Sequence, residues 1–337
     1  MGLQAAIYGL SGEALSPDER DFFRDSDPAG YILFRRNCVD REQMRALTDD
    51  LRALSGRDDL PILIDQEGGR VARMRPPEWP EFPSGEAFDR LYARAPMSAI
   101  EAARANAGAL ALMLREVGVN VDCLPVLDVR QPGATDIVGD RALGGEPMQV
   151  AALGRATLEG LHQNGVVGVV KHMPGHGRAL VDSHLELPVV DAGEEALAID
   201  IEPFASLRWA PMGMVAHLIF TAWDRENPAS LSPFVIGEII RNRIGFDGLL
   251  MTDDMGMKAL SGGFDERTRR ALAAGCDIAL HCSGEMDEMI AVASAAGALG
   301  DKGRERLDRA MAIIAGWSPA QDFAALTDKR DRLLAYA

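Results

Sequence analysis

The chain of 337 residues is poor in cysteine, in aromatic residues and in positive charge. Its four cysteines are too few for a disulfide scaffold. Cys38 and Cys123 lie far apart in sequence. Cys276 and Cys282 flank one apparent strand, which holds them about 20 Å apart at roughly 3.3 Å per residue, whereas a bridge needs Cα atoms within about 7 Å. Four free thiols point to the cytoplasm, as does the N-terminus MGLQAAIYGLSGEALSPDER, which lacks a basic leader region. No apolar run approaches the ~18 residues that span a bilayer, so no membrane partner is expected. Lys and Arg number 35 against 51 Asp and Glu, a net charge of −16. Such a surface repels phosphate backbones, and no nucleic-acid partner is expected. The glycine fingerprint of a dinucleotide fold is missing after the first strand, and no G-x-S-x-G hydrolase elbow occurs.

What is present is an alternation of short apolar runs with longer segments rich in Ala, Leu, Arg and Glu. Eight runs read as strands: Ala5–Leu10, Gly30–Phe34, Pro61–Asp65, Val119–Asp128, Val166–His172, Gly213–His217, Gly248–Asp253 and Cys276–Cys282. Helical segments are expected at Asp40–Leu54, Glu86–Val117, Pro147–Gln163, Glu194–Leu207, Pro233–Arg243, Asp265–Ala274, Met286–Ala296 and Gly303–Trp317. The strands are apolar throughout, which suits a parallel sheet covered on both faces. The pattern predicts an α/β fold, a (β/α)8 TIM-type barrel in a single domain over residues 1–337, with C-terminal helices from about 283. A doubly wound open sheet is the alternative.

Polar residues collect at the strand ends: Asp65, Asp128, Lys171-His172, His217, Asp253-Asp254 and His281. In a barrel these ends open onto one face, where active sites sit. His162 reads as an ordinary helix residue. The densest segment is KHMPGHGRALVDSHLELP (171–188). His172 and His176 have an i, i+4 spacing, but Pro174 and Gly175 between them exclude a helical metal site. A loop-built site stays open, although no ligand pattern accompanies it, and neither metal nor cofactor is expected. If the segment is extended, Asp182 and His184 share one side, and Asp182 can orient the imidazole of His184 for acid and base work; a turn with an Asx or serine cap is the alternative reading. In GLLMTDDMGM (248–257), adjacent carboxylates face opposite sides, so one of the two is expected to enter the barrel mouth. In IDQEGGRVARM (64–74), Asp65 can accept hydrogen bonds from a polyol and Gly68-Gly69 permit a tight turn.

Together these segments resemble the bacterial β-N-acetylhexosaminidases of glycoside hydrolase family 3, the single-domain, peptidoglycan-recycling type. The resemblance runs through ILFRRN (32–37), IDQEGGRVARM, PVLDV (125–129), GDRALGG (139–145), KHMPGHG (171–177), DSHLELP (182–188), MVAH (214–217), PASLSP (228–233) and MTDDMGM (251–257). It implies retaining hydrolysis of terminal β-linked N-acetylglucosamine. The nucleophile falls on Asp253, and an acid/base dyad on His184 supported by Asp182. Sugar-binding positions fall on Asp65, Arg73, Arg141, Lys171 and His172. The implied substrate is a muropeptide fragment, N-acetylglucosamine joined to 1,6-anhydro-N-acetylmuramic acid with or without peptide. Departures from the family pattern include Met173 for Phe, Arg178 where an acidic residue is common after GHG, and Ala142-Leu143 for Ser-Phe. Rival readings are a phosphorylase on the same site, a Schiff-base lyase using Lys171, and a non-catalytic sugar-binding protein.

Overall fold

The computed structural model describes residues 2–133, 137–181 and 186–336. Eight parallel strands close into a barrel. They are β1 (Gln4–Gly9), β2 (Pro28–Leu33), β3 (Ile62–Ile64), β4 (Val121–Asp122), β5 (Val167–Met173), β6 (Met212–Val215), β7 (Leu249–Asp254) and β8 (Ile278–His281). Each pairs with its neighbour in chain order, and β8 returns to β1 with Ala6 opposite Ala279. The expected (β/α)8 barrel is therefore the observed fold.

Both strand faces are buried, which explains the unbroken apolar runs. Ile7, Ile32, Leu63, Val121, Val169, Met214, Met251 and Leu280 fill the barrel interior. Leu307, Ala310 and Met311 of helix Asp301–Ala312 join this cluster. The alternate residues Tyr8, Tyr31, Leu33, Ile62 and Ile64 pack outward with Met44, Leu47 and Leu51 of helix Arg41–Ser55. Outer helix Pro147–Gln163 also carries His162, where burial pushes the imidazole down to about 4. All four cysteines are free and buried.

Several expected elements differ in extent, each for a local reason. The segment Glu86–Val117 is two helices, Gly85–Arg94 and Pro96–Glu116. Ala95 precedes Pro96 and is driven out of the helical region, with φ −148° and ψ 79°. The expected strand Val119–Asp128 is regular only at Val121–Asp122, because Pro125 has no N–H to continue the ladder. Pairing with β5 resumes downstream, where Leu127 N–H donates to the Lys171 carbonyl at 2.7 Å. Helix Gly303–Trp317 instead starts at Asp301 and ends at Ala312. Val235–Ile244 is a π-helix. Helix Pro17–Ser26 was not foreseen, although its capping box is written in the sequence: Ser16 caps Glu19 N–H and Glu19 bonds back to Ser16 N–H. A last helix, Phe323–Leu334, packs on Pro96–Glu116.

Candidate active site

The C-terminal ends of β3 and β5 deliver opposite charges to one point. Past β3 the chain turns tightly, with Glu67 and Gly68 N–H both donating to the Val71 carbonyl. Gly68 and Gly69 have φ of +98° and +56°, which side chains disfavour. This turn returns Arg73 beside Asp65, with Nη2 to Oδ2 at 3.0 Å. The other Asp65 oxygen accepts from Lys171 Nζ at 2.8 Å. Lys171 also lies 2.7 Å from Glu67. Arg141 grips both Glu67 oxygens, at 2.7 and 2.8 Å. Asp65, Glu67, Arg73, Arg141 and Lys171 thus form one interlocked cluster. Burial by itself raises the Glu67 carboxyl, but Arg141 and Lys171 outweigh it and hold it at about 2. Asp65 is likewise held well below the carboxylate range by Lys171 and Arg73. Burial works against the Lys171 ammonium, yet its two carboxylates raise it above the usual lysine range.

His172 follows Lys171 and is fixed from behind by Asp128. Asp128 Oδ2 lies 2.7 Å from His172 Nδ1, and Oδ1 accepts from the backbone N–H of His172 and of His176. Burial would raise the Asp128 carboxyl; His172 and the His176 amide keep it at about 2. With Nδ1 committed, Nε2 is the remaining polar atom of the His172 ring. The His176 imidazole is pushed down to about 4 by burial and by His172.

The opposite wall is built by β6, β7 and β8, and backbone N–H groups meet both of its aspartates. β7 ends in Asp253 and Asp254, and Asp253 Oδ1 accepts from Asp254 N–H at 2.8 Å. Asp254 Oδ1 accepts from Gly256 N–H and Cys282 N–H, at 2.9 and 3.0 Å. His217 Nε2 lies 3.0 Å from the Asp254 carbonyl, which can only accept, so Nε2 carries a proton. His217 Nδ1 then accepts from Ser230 Oγ at 2.7 Å. Burial pushes His217 down and keeps it neutral. His281 is fully buried beside Ser283 and Glu288.

Asp65, Arg73, Arg141, Lys171, His172 and Asp253 all line one cleft of ≈ 350 Å³, at the low end of small-molecule sites. Asp182 and His184 lie outside the described residues. Asp254 also lines the cleft rather than turning wholly away. Sequence reasoning missed Glu67, the most deeply placed carboxylate of the cluster, although it follows Asp65 by two and so shares its side of an extended segment. It also missed the role of Asp128 as the clamp on His172. The Asp128 strand end was visible, but its partner was not. Among the described residues no group of His, Cys, Asp and Glu is arranged to hold a metal ion.

Residues 7–315 match the family described as "Glycosyl hydrolase family 3 N terminal domain". The β-hexosaminidase of Aromatoleum aromaticum is 39% identical over 286 residues, covering 83% of this chain and 80% of that protein. That of Alkalilimnicola ehrlichii is 38% identical over 288 residues, covering 84% and 82%. Among solved structures, NagZ from Neisseria gonorrhoeae in complex with N-trifluoroacetyl-D-glucosamine superposes with a TM-score of 0.86 at 28% identity, covering 100% of this chain and 98% of that one. Barrel, cleft and relatives agree, and the chain belongs to the β-hexosaminidases of glycosyl hydrolase family 3.

Proposed function

We propose that the chain is a retaining exo-β-N-acetylglucosaminidase, in which Asp253 attacks the anomeric carbon and His184, oriented by Asp182, protonates the leaving oxygen and then activates water. The observation that carries this reading is how the described carboxylates of the cleft are occupied. Asp65 is locked between Lys171 and Arg73, Glu67 between Arg141 and Lys171, and Asp254 accepts two backbone N–H groups. Asp65 and Glu67 are held ionised and have no proton to give. They suit hydrogen bonding to sugar hydroxyls instead. A two-carboxylate mechanism therefore lacks its acid among these groups, and the DSH segment is the natural source.

The rest of the cleft supports binding of one sugar ring with an anionic neighbour. Arg73 and Arg36 both lie over the Phe34 ring, at 4.9 and 5.1 Å, and Arg70 joins the rim. Arg70 and Arg73 line the cleft of a chain whose net charge is −16. The lactyl or peptide carboxylates of a muropeptide fragment fit such a rim, and four free buried thiols fit a reducing compartment. Lys171 is a poor Schiff-base amine, because two carboxylates keep it protonated.

The test is His184→Ala on glycosides of graded leaving-group acidity. General acid help is worth ~10² to 10⁴-fold, so kcat/KM should collapse for alkyl glycosides and the natural disaccharide. It should stay near wild type for dinitrophenyl N-acetylglucosaminide. Equal losses across the series would remove His184 from the acid role. Aryl N-acetylglucosaminide should also be cleaved far faster than aryl glucoside, and added phosphate should leave the rate unchanged.

A further inference from the structure

The chain that leads into the DSH segment is bolted down just before that segment begins. His176 N–H is held by Asp128 Oδ1 at 2.7 Å. A Cβ on Gly177 would stand 1.9 Å from the Val129 carbonyl oxygen, so the backbone passes Val129 closely at this residue. Arg178 then reaches away from the cleft to helix Glu194–Ser206. Its Nε donates to Asp200 Oδ2 at 2.5 Å and its Nη2 to the Ala196 carbonyl at 2.9 Å. Asp200 is 2% exposed, and its other oxygen accepts from Gln131 Nε2 at 3.4 Å. On the far side, Ile219 N–H donates to the Pro188 carbonyl and Val189–Val190 pairs with Ile219–Phe220. Arg178 is not part of the catalytic cleft. It lines a separate groove with Gln131, Leu180 and Val190.

From these contacts we infer that Arg178 is a positioning residue, whose ion pair with Asp200 fixes the described chain at 176–178, and that proton donation by the DSH segment downstream depends on this anchor. The inference rests on the acid/base reading given above. His184 is six residues past Arg178, at most ~20 Å of chain. The anchor is therefore close in chain to the proposed proton donor, and misplacement by about 1 Å can cost a catalytic group much of its effect. Arg178 suits the task because its planar fork satisfies the Asp200 carboxylate and the Ala196 carbonyl together. Asp200 suits it because a buried carboxylate without its cation is unfavourable, which keeps the pair closed. The departure at position 178 from the family pattern thus has its partner on the neighbouring helix.

The test is kcat/KM on the same graded glycosides for Arg178→Met, Arg178→Lys, Asp200→Asn and the double variant Arg178→Met/Asp200→Asn, with His184→Ala as benchmark. Arg178→Met should lose ~10-fold or more on alkyl glycosides, while dinitrophenyl N-acetylglucosaminide changes by less than ~2-fold. Arg178→Lys, which keeps the charge but not the fork, should retain only part of the effect and fall between Arg178→Met and wild type, and the double variant should be no worse than the worse single one. A merely structural role predicts equal losses on both substrates, through the fraction folded. Equal losses, or none, with His184→Ala still selective for poor leaving groups, would overturn the positioning role alone. A His184→Ala variant without that selectivity would overturn the acid reading, and the inference with it. Should Arg178→Met fail to fold, Asp200→Asn carries the readout, with the same selective loss on alkyl glycosides expected and equal losses on both substrates overturning the positioning role.

Discussion

The two walls of the cleft are built on opposite principles. The β3–β5 wall is an ionic lattice: two carboxylates and three cations, with Lys171 2% exposed and bonded to both acids. The β6–β8 wall holds Asp253 and Asp254 with backbone N–H groups and the neutral His217. The lattice suits binding, because groups fixed in permanent ion pairs present sugar hydroxyls with an unchanging set of donors and acceptors. It is unsuited to chemistry, since none of its members can change charge at little cost. A carboxylate that accepts from a backbone amide keeps its charge available, as the nucleophilic role proposed for Asp253 requires.

The sharpest way to break this contrast is at Asp253, the proposed nucleophile. Asp253→Asn should lower kcat on the order of 10⁴-fold or more, the scale of nucleophile knockouts. Asp254→Asn should lose far less, because an amide oxygen can still accept from Gly256 and Cys282. Similar losses in steady-state assays of the two variants would contradict the division of roles. At the other wall, Lys171→Met leaves two buried acids short of a cation. It should cost about 3–5 kcal/mol of stability in urea unfolding, the usual penalty for breaking a buried pair from one side.

Acid should unpick the molecule in a set order. His176 and His162 titrate at about 4 in the folded chain against 6.5 unfolded. Between these values the unfolded chain binds more protons, so stability falls as pH falls. Asp200 acts oppositely: its folded value of about 6 exceeds 3.8, so the folded chain binds the extra proton there. His217 and His281 are also pushed down by burial and Asp122 is pushed well up, so four lowered histidines face two raised aspartates, and stability should fall as pH falls toward 5. Glu67 and Asp128, depressed to about 2, contribute stability that is lost as pH drops below about 4. Thermal melts across pH 7 to 3 check both slope and sign. The smallest effect belongs to the β6–β8 wall. Ser230→Ala removes one donor from His217 Nδ1 and should cost about 1 kcal/mol, with kcat nearly intact.

Much of this was legible in the sequence. The barrel followed from eight apolar runs, and the cleft from polar residues at their ends. Asp65, Arg73, Arg141, Lys171, His172 and Asp253 do meet there. What the residues could not state was who pairs with whom. Glu67 joins Arg141 across 74 positions, and Arg178 joins Asp200 across 22. Such pairs follow from the closure of the barrel, not from local periodicity. Element boundaries failed where proline acts against a neighbouring pattern, at Pro96 and Pro125. Helix Pro17–Ser26 was missed because its charged sequence carries little apolar stripe, although its capping box was readable.

The proposed covalent step at Asp253 can be trapped directly. A slow fluorinated N-acetylglucosaminide should trap the glycosyl-enzyme, and peptide mapping should place the adduct on Asp253. NMR of fresh product should show the β anomer first. A label on Asp254, or the α anomer appearing first, would contradict the account.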